Sequence, residues 1–261
     1  MEPEYPLLDE LRVVIITSED PIYINFFFRE LFKRRPKTSI SLVGIVNLKP
    51  FNAKSYWALA RDMLKFYGFY DFLLLSARFI RLKFTKPGLK QMANEQGIPF
   101  IETARINRRE FHVQLRELNP DVIISVAASQ IFKKTLLCLP RLGCWNVHGG
   151  YLPKYRGMMP AFWTLFNDEP EGAVSIHRMT EAVDAGDILL QRVYQIDRGE
   201  SLDRLILKSK IMGAQALIEA LETLRRGGWT LKLNDAAQAT YYSFPTPREV
   251  RTFRQRGHKL L

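Results

Sequence analysis

Cysteine is scarce. The 261-residue chain has two, Cys138 and Cys144, which form neither a CxxC pair nor part of a visible Cys/His cluster. That spacing argues against a disulfide framework and against a zinc site, so no metal is expected. A reducing, cytoplasmic setting with both thiols acting as small core residues is the simplest expectation. A long unbroken hydrophobic run is also missing: the greasiest stretch, Phe66 to Phe84, is interrupted by Gly68, Asp71, Arg78, Arg81 and Lys83, which argues against a bilayer span. Met1-Glu2-Pro3-Glu4 shows no basic region followed by an apolar core, so no secretory signal is read there. Internal repeats and low-complexity blocks are absent. Acidic residues are few against basic ones, 27 to 38, and the net charge of +11 suits phosphate-bearing partners or a solvated basic surface without a dedicated partner.

What is present is enough for a full core, since 47% of the residues are hydrophobic. Arg12 to Thr17 is a short β-branched run, followed by helix-start residues and then by Ile24, Phe28, Leu31 and Phe32, ending in Lys33, Arg34 and Arg35. This reads as strand, loop, helix. Further strands are expected at Ser39 to Val46, Ile98 to Ile101, Val122 to Val126, Cys144 to Val147, Val174 to Ile176 and Ile188 to Val193, with a helix over Arg108 to Leu118. The alternation predicts an α/β, Rossmann-like fold: an open, mostly parallel sheet with helices on both faces. Ser201 to Arg226 reads as a long amphipathic helix closed by Gly227-Gly228. Residues 1–228 are expected to form the main domain, and 229–261 a short, extended C-terminal segment packed back on it.

Residues 54–86 stand out, because Tyr56, Trp57, Phe66, Tyr67, Phe69, Tyr70, Phe72, Phe79 and Phe84 alternate with Arg61, Lys65, Arg78, Arg81 and Lys83. The segment is expected to be one or two inserted helices. Three readings are open: aromatics packed on the sheet edge, a basic-aromatic surface for lipid headgroups or an amphiphilic substrate, or a homo-oligomer interface.

The chemistry gathers between Gly143 and Gln191. Asn146-Val147-His148-Gly149-Gly150 puts two polar side chains at the end of a strand with glycines after it, which is where open α/β sheets bind ligands. Downstream, Ala182-Val183-Asp184-Ala185-Gly186-Asp187-Ile188 is a loop entering a strand, with Asp184 as its inward carboxylate. Asp187 is expected to support that loop. His177 reads as a strand residue satisfied by a backbone partner, and Arg156 as a turn anchor or an anion contact.

Asn146, His148, Leu152-Pro153, Arg156-Gly157, Pro160 and Asp184-Ala185-Gly186-Asp187-Ile188 occur in the order and at the separations of the folate-dependent formyltransferases, and the chain resembles that family over residues 98–225. The resemblance implies 10-formyltetrahydrofolate as co-substrate, without a metal, and catalytic roles for Asn146, His148 and Asp184. It implies folate contacts from Gln130, Ile131 and Phe132 and from Thr180, Glu181, Ala182 and Val183. Where many members have Ser-Leu-Leu-Pro, this chain has Gly150-Tyr151-Leu152-Pro153, so Tyr151, with Arg156, is expected near the acceptor.

The chemistry suits these residue types: an amine attacks the formyl carbon, and the Asn146 amide and a protonated His148, its pKa raised by Asp184, would donate to the formyl oxygen. The favoured acceptor is a small-molecule primary amine, phosphate-bearing, on an aminosugar or nucleotide-sugar. Methionyl-tRNA is a rival acceptor, disfavoured because only a short tail follows Gly228 where those enzymes carry a β-barrel. The glycine-free Ser18-Glu19-Asp20-Pro21-Ile22 argues against a glycinamide ribonucleotide site, which wants a phosphate-cradling loop. A formyltetrahydrofolate deformylase and a non-catalytic folate, nucleotide or membrane-surface binding module complete the alternatives.

Overall fold

The computed structural model describes residues 7–49 and 56–261. Five strands, β1 (Leu11–Thr17), β2 (Ile40–Leu48), β3 (Phe100–Thr103), β4 (Val122–Val126) and β5 (Cys144–His148), pair in parallel. After the two-residue β6 (Arg156–Gly157), β7 (Glu171–Arg178) and β8 (Ile188–Gln195) complete a sheet of order β3-β2-β1-β4-β5-β7-β8, with β7 and β8 antiparallel. The expected open, mostly parallel sheet is what the chain forms.

Alternation along β1 explains why both faces are covered. Val13 and Ile15 point into one core with α1 (Ile24–Arg34), α6 (Pro160–Phe166) and α7 (Leu202–Arg226). Val14 and Ile16 point into another, with α4 (Arg109–Glu117) and α5 (Lys134–Leu137). A central strand buried on both sides must be apolar throughout, hence the run Val-Val-Ile-Ile. In α1, Ile24, Phe27, Phe28 and Leu31 recur at helical spacing and are buried. α7 starts at Ser201, whose side chain accepts the Arg204 N–H, and stops where Gly227 takes φ 73°.

Three expectations need correction. Cys144 is buried but Cys138 is exposed, because it follows the short surface helix α5. β3 begins two residues later than the apolar run suggested, with Pro99 keeping its start out of the ladder. The tail is not simply extended: after β9 (Tyr241–Tyr242), which pairs with β6, Pro247–Gln255 forms α8, started by a capping box between Thr246 and Glu249. Phe253 of α8 is buried and stacks on Phe162, with centroids 4.7 Å apart.

The inserted segment is helical, as expected. α2 (Tyr56–Thr85) is broken at Gly68, whose φ of 71° no helix accommodates, so a second run starts at Phe69 in a new direction. The preceding α-helical turns end at Tyr67, which is buried with Phe66. Lys54 and the side chains of Tyr56 and Trp57 lie outside the described residues. α3 (Leu89–Glu95) then leads into β3.

Candidate active site

The site lies at the carboxyl end of β5. Asn146 and His148, two residues apart, share one face of that strand. The antiparallel pairing of β7 sets His177 directly across from Asn146 and Ser175 across from His148. The chain leaving β7 then folds back over the sheet edge and delivers Asp184, held at φ 50°.

Asp184 is the hub. Its Oδ1 accepts from Asn146 Nδ2 at 3.2 Å and lies 3.4 Å from His177 Nε2. Its Oδ2 accepts the Gly157 N–H at 2.9 Å and stands 3.5 Å from His148 Nδ1. The structure therefore brings Asn146, His148 and Asp184 together, with His177 among them. His177 does have the expected backbone partner, since its Nδ1 donates to the Arg178 carbonyl at 2.9 Å. Its Nε2 lies 3.2 Å from Asn146 Nδ2, on the side that faces Asp184.

Two expectations about charge and donors change. Burial pushes the His148 pKa below its ordinary value, and the opposing pull of Asp184 does not overcome it; His177 and Lys210 push the same way as burial. The resting imidazole is thus neutral rather than protonated. Its proton is on Nε2, which donates to the Tyr155 carbonyl at 2.8 Å, leaving the Nδ1 lone pair toward Asp184. Burial also opposes ionisation of Asp184, but His148, His177 and the Gly157 N–H outweigh it and hold its pKa well below the carboxylate range. Asn146, expected to offer its amide hydrogens to a ligand, has its Nδ2 turned instead toward Asp184, to which it donates, and His177. Turning the amide over would set its oxygen against the carboxylate, so Oδ1 is the atom directed away from Asp184.

Packing fixes this arrangement tightly. A Cβ on Gly150 would stand 2.7 Å from His148 Nε2, so only glycine fits there. Four non-glycine residues around the site hold left-handed backbone: Ala127 (φ 51°), Tyr155 (60°), Met159 (54°) and Asp184. The Leu152-Pro153 bond is cis.

The side chains open into a cleft of about 750 Å³, a size suited to a small-molecule ligand. The loop after β4, including Gln130, Ile131 and Phe132, lines it, as do Thr180, Glu181, Ala182 and Val183. Ile131 and Val183 present exposed apolar side chains, whereas Phe132 is buried beneath. The Gln130 side chain is spent on the Ala104 carbonyl and the Ile106 N–H, so it shapes the loop. Tyr151 and Arg156 fall outside the lining. Tyr151 packs on the core, and Arg156 donates to the Asn234 carbonyl and Oδ1 at 3.0 and 2.7 Å, tying the tail to β6. Asp187 does similar work, accepting the Asn234 N–H.

Sequence reasoning passed over another part of the cleft, lined by Asp20, Tyr23, Tyr67, Ser209 and Lys210. Asp20 accepts the Ile22 and Tyr23 N–H groups, and Tyr23 donates its hydroxyl to Asp203. Burial lowers the Lys210 pKa, with Asp20 pulling against it. The available signal was Ser209-Lys210 interrupting the apolar face of α7. Among the described residues no group of three His, Cys, Asp or Glu side chains is placed to hold a metal ion.

Residues 80–221 match the formyl transferase family, and the chain belongs to it. It is 37% identical over 159 residues to a methionyl-tRNA formyltransferase from Geobacter metallireducens, covering 61% of this chain and 51% of that protein. The chain thus spans about half the length of the curated relatives it matches. In fold it is similar to an N-formyltransferase from Helicobacter canadensis in complex with folinic acid and dTDP-3-aminofucose (TM-score 0.57, 15% identity, 89% of this chain and 71% of that one). It is also similar to glycinamide ribonucleotide transformylase 1 from Symbiobacterium toebii (TM-score 0.59, 14% identity, 87% and 95%).

Proposed function

We propose that this protein transfers the formyl group of 10-formyltetrahydrofolate to a primary amine. The observation that carries this reading is the convergence of Asn146, His148 and Asp184 on one cleft, in a chain of the formyl transferase family. The exposed apolar side chains of Ile131 and Val183, with the backbone of the two loops that bear them, suit the flat pterin of a folate. When bound, the folate supplies an activated formyl carbon; the rest is done by the chain.

Asn146 Oδ1, turned away from Asp184, accepts one N–H of the incoming amine and aims its lone pair. As the new C–N bond forms, the nitrogen gains positive charge and the formyl oxygen negative charge. Neutral His148 takes the surplus proton on Nδ1. Asp184, 3.5 Å away and ionised, stabilises the imidazolium so formed. The imidazolium then returns the proton to the departing nitrogen as the old C–N bond breaks. His177 and the Gly157 N–H keep Asp184 in place.

For the acceptor we favour an aminosugar or nucleotide-sugar, because the cleft is sized for a small molecule. Methionyl-tRNA is the second reading, favoured by the identity to methionyl-tRNA formyltransferases. The test is tetrahydrofolate release from 10-formyltetrahydrofolate with and without candidate amines. Release that requires an amine supports transfer; release without one means a deformylase, and none with any amine means a binding module. In His148→Ala, turnover should fall by about 10²- to 10⁴-fold with folate affinity kept. Equal loss of both would make His148 a binding residue instead.

A further inference from the structure

The second run of α2 shows the body one face and solvent another. Toward the body, Leu75 and Leu82 are buried, Arg78 pairs with Asp203 at 2.8 Å, and Asp71 pairs with Arg254 at 2.9 Å. The opposite face is also apolar. Phe69, Tyr70, Leu73, Ile80 and Phe84 are all more than half exposed, Phe84 by 82%. At about 100° per residue these positions, with Ala77, share one side of the helix, over about 22 Å of its length. Arg81 and Lys83 border that side and Lys86 follows it, all exposed.

A monomer rarely leaves such a stripe on its surface without a use. A second copy of this chain is a poor occupant. Parallel pairing would stack cation on cation, and antiparallel pairing would set the cations against a stretch whose sole acid, Asp71, is already paired with Arg254. No helix among the described residues is long and apolar enough to cross a membrane. An apolar face bordered by cations fits a helix lying in the plane of a lipid surface, with the acyl boundary against Phe and Leu and the phosphates against Lys and Arg.

We propose that Phe69, Leu73, Ile80 and Phe84, with Arg81 and Lys83, dock the protein peripherally on an anionic bilayer. The two ion pairs on the other face hold the helix ready, so docking needs no unfolding. The stripe begins two residues after Tyr67, a wall residue of the cleft.

The test is co-sedimentation of the full chain with phosphatidylcholine vesicles, with and without phosphatidylglycerol. Binding should need the anionic lipid and weaken as salt is raised. The double variant L73E/I80E should partition at least about tenfold more weakly, and R81E/K83E should lose the preference for phosphatidylglycerol. All four positions are exposed, so circular dichroism and the thermal midpoint should match the parent. No binding to either vesicle overturns the proposal, and so does a dimer in light scattering that L73E/I80E abolishes. None of these readouts depends on formyl transfer.

Discussion

At the scale of single residues, the site turns on how Asp184 divides its two oxygens. One holds Asn146 and lies against His177; the other faces His148 and the Gly157 N–H. If neutral His148 is the base, kcat/KM should fall on the acid side as His148 protonates, with a midpoint below the ordinary imidazole value of 6.5. In Asp184→Asn the upward pull on His148 is gone, so that acid limb should move to still lower pH. The plateau rate should drop about a hundredfold or more, because the imidazolium loses its partner. A pH–rate profile with the limb unmoved would remove this coupling from the mechanism. Asn146 and His148 could be placed at a strand end from the sequence, but that Asp184 would meet them followed only from the family resemblance, because spacing alone does not bring the 182–188 loop to the end of β5. His177 was not legible as a site residue, since its role comes from antiparallel pairing across β5, a register the sequence does not announce. The neutral state of His148 was hidden for the same reason: burial is a property of the fold.

At the scale of elements, the strands could be read because they are buried on both faces and therefore apolar, whereas α8 could not be read from hydrophobicity. Only Val250 and Phe253 of that helix are buried, and after Pro247 the rest is charged or polar. Its signature is local instead: Thr246-Pro247-Arg248-Glu249, in which Thr246 Oγ1 accepts the Glu249 N–H and Glu249 Oε2 accepts the Thr246 N–H at 2.6 Å. Arg254 of α8 also bonds the Tyr67 carbonyl and Asp71, bracing both sides of the Gly68 break in α2. Thr246→Ala should therefore cost about 1 kcal/mol, seen as a fall of roughly 2–4 °C in the thermal midpoint. An unchanged midpoint would show that α8 forms without its cap. The break itself was only half legible: glycine inside a helical pattern warns of an interruption, but the new direction depends on what α8 and Asp203 supply.

At the scale of the whole molecule, the buried site makes stability depend on pH in a stated direction. His148 has a lower pKa folded than unfolded, so the unfolded chain binds the proton first as pH falls. Its contribution is complete above about 6.5 and is lost as pH drops below that value. Asp184 adds a second loss below the carboxylate range, since its folded pKa is also depressed. The thermal midpoint should thus fall between pH 8 and pH 5, and fall less in His148→Gln; equal falls in both would place the acid sensitivity elsewhere. The left-handed backbone at Ala127, Tyr155, Met159 and Asp184 bears on the protein's evolution. Each such residue is strained by about 1–2 kcal/mol relative to an ordinary conformation. A lineage selected for heat resistance would find relief in glycine or asparagine at these positions, yet two of them carry the carboxylate of the site and the carbonyl that fixes the imidazole. Of the four, Ala127 and Met159 should accordingly be the first to drift, because neither supplies a group that holds His148 or Asp184.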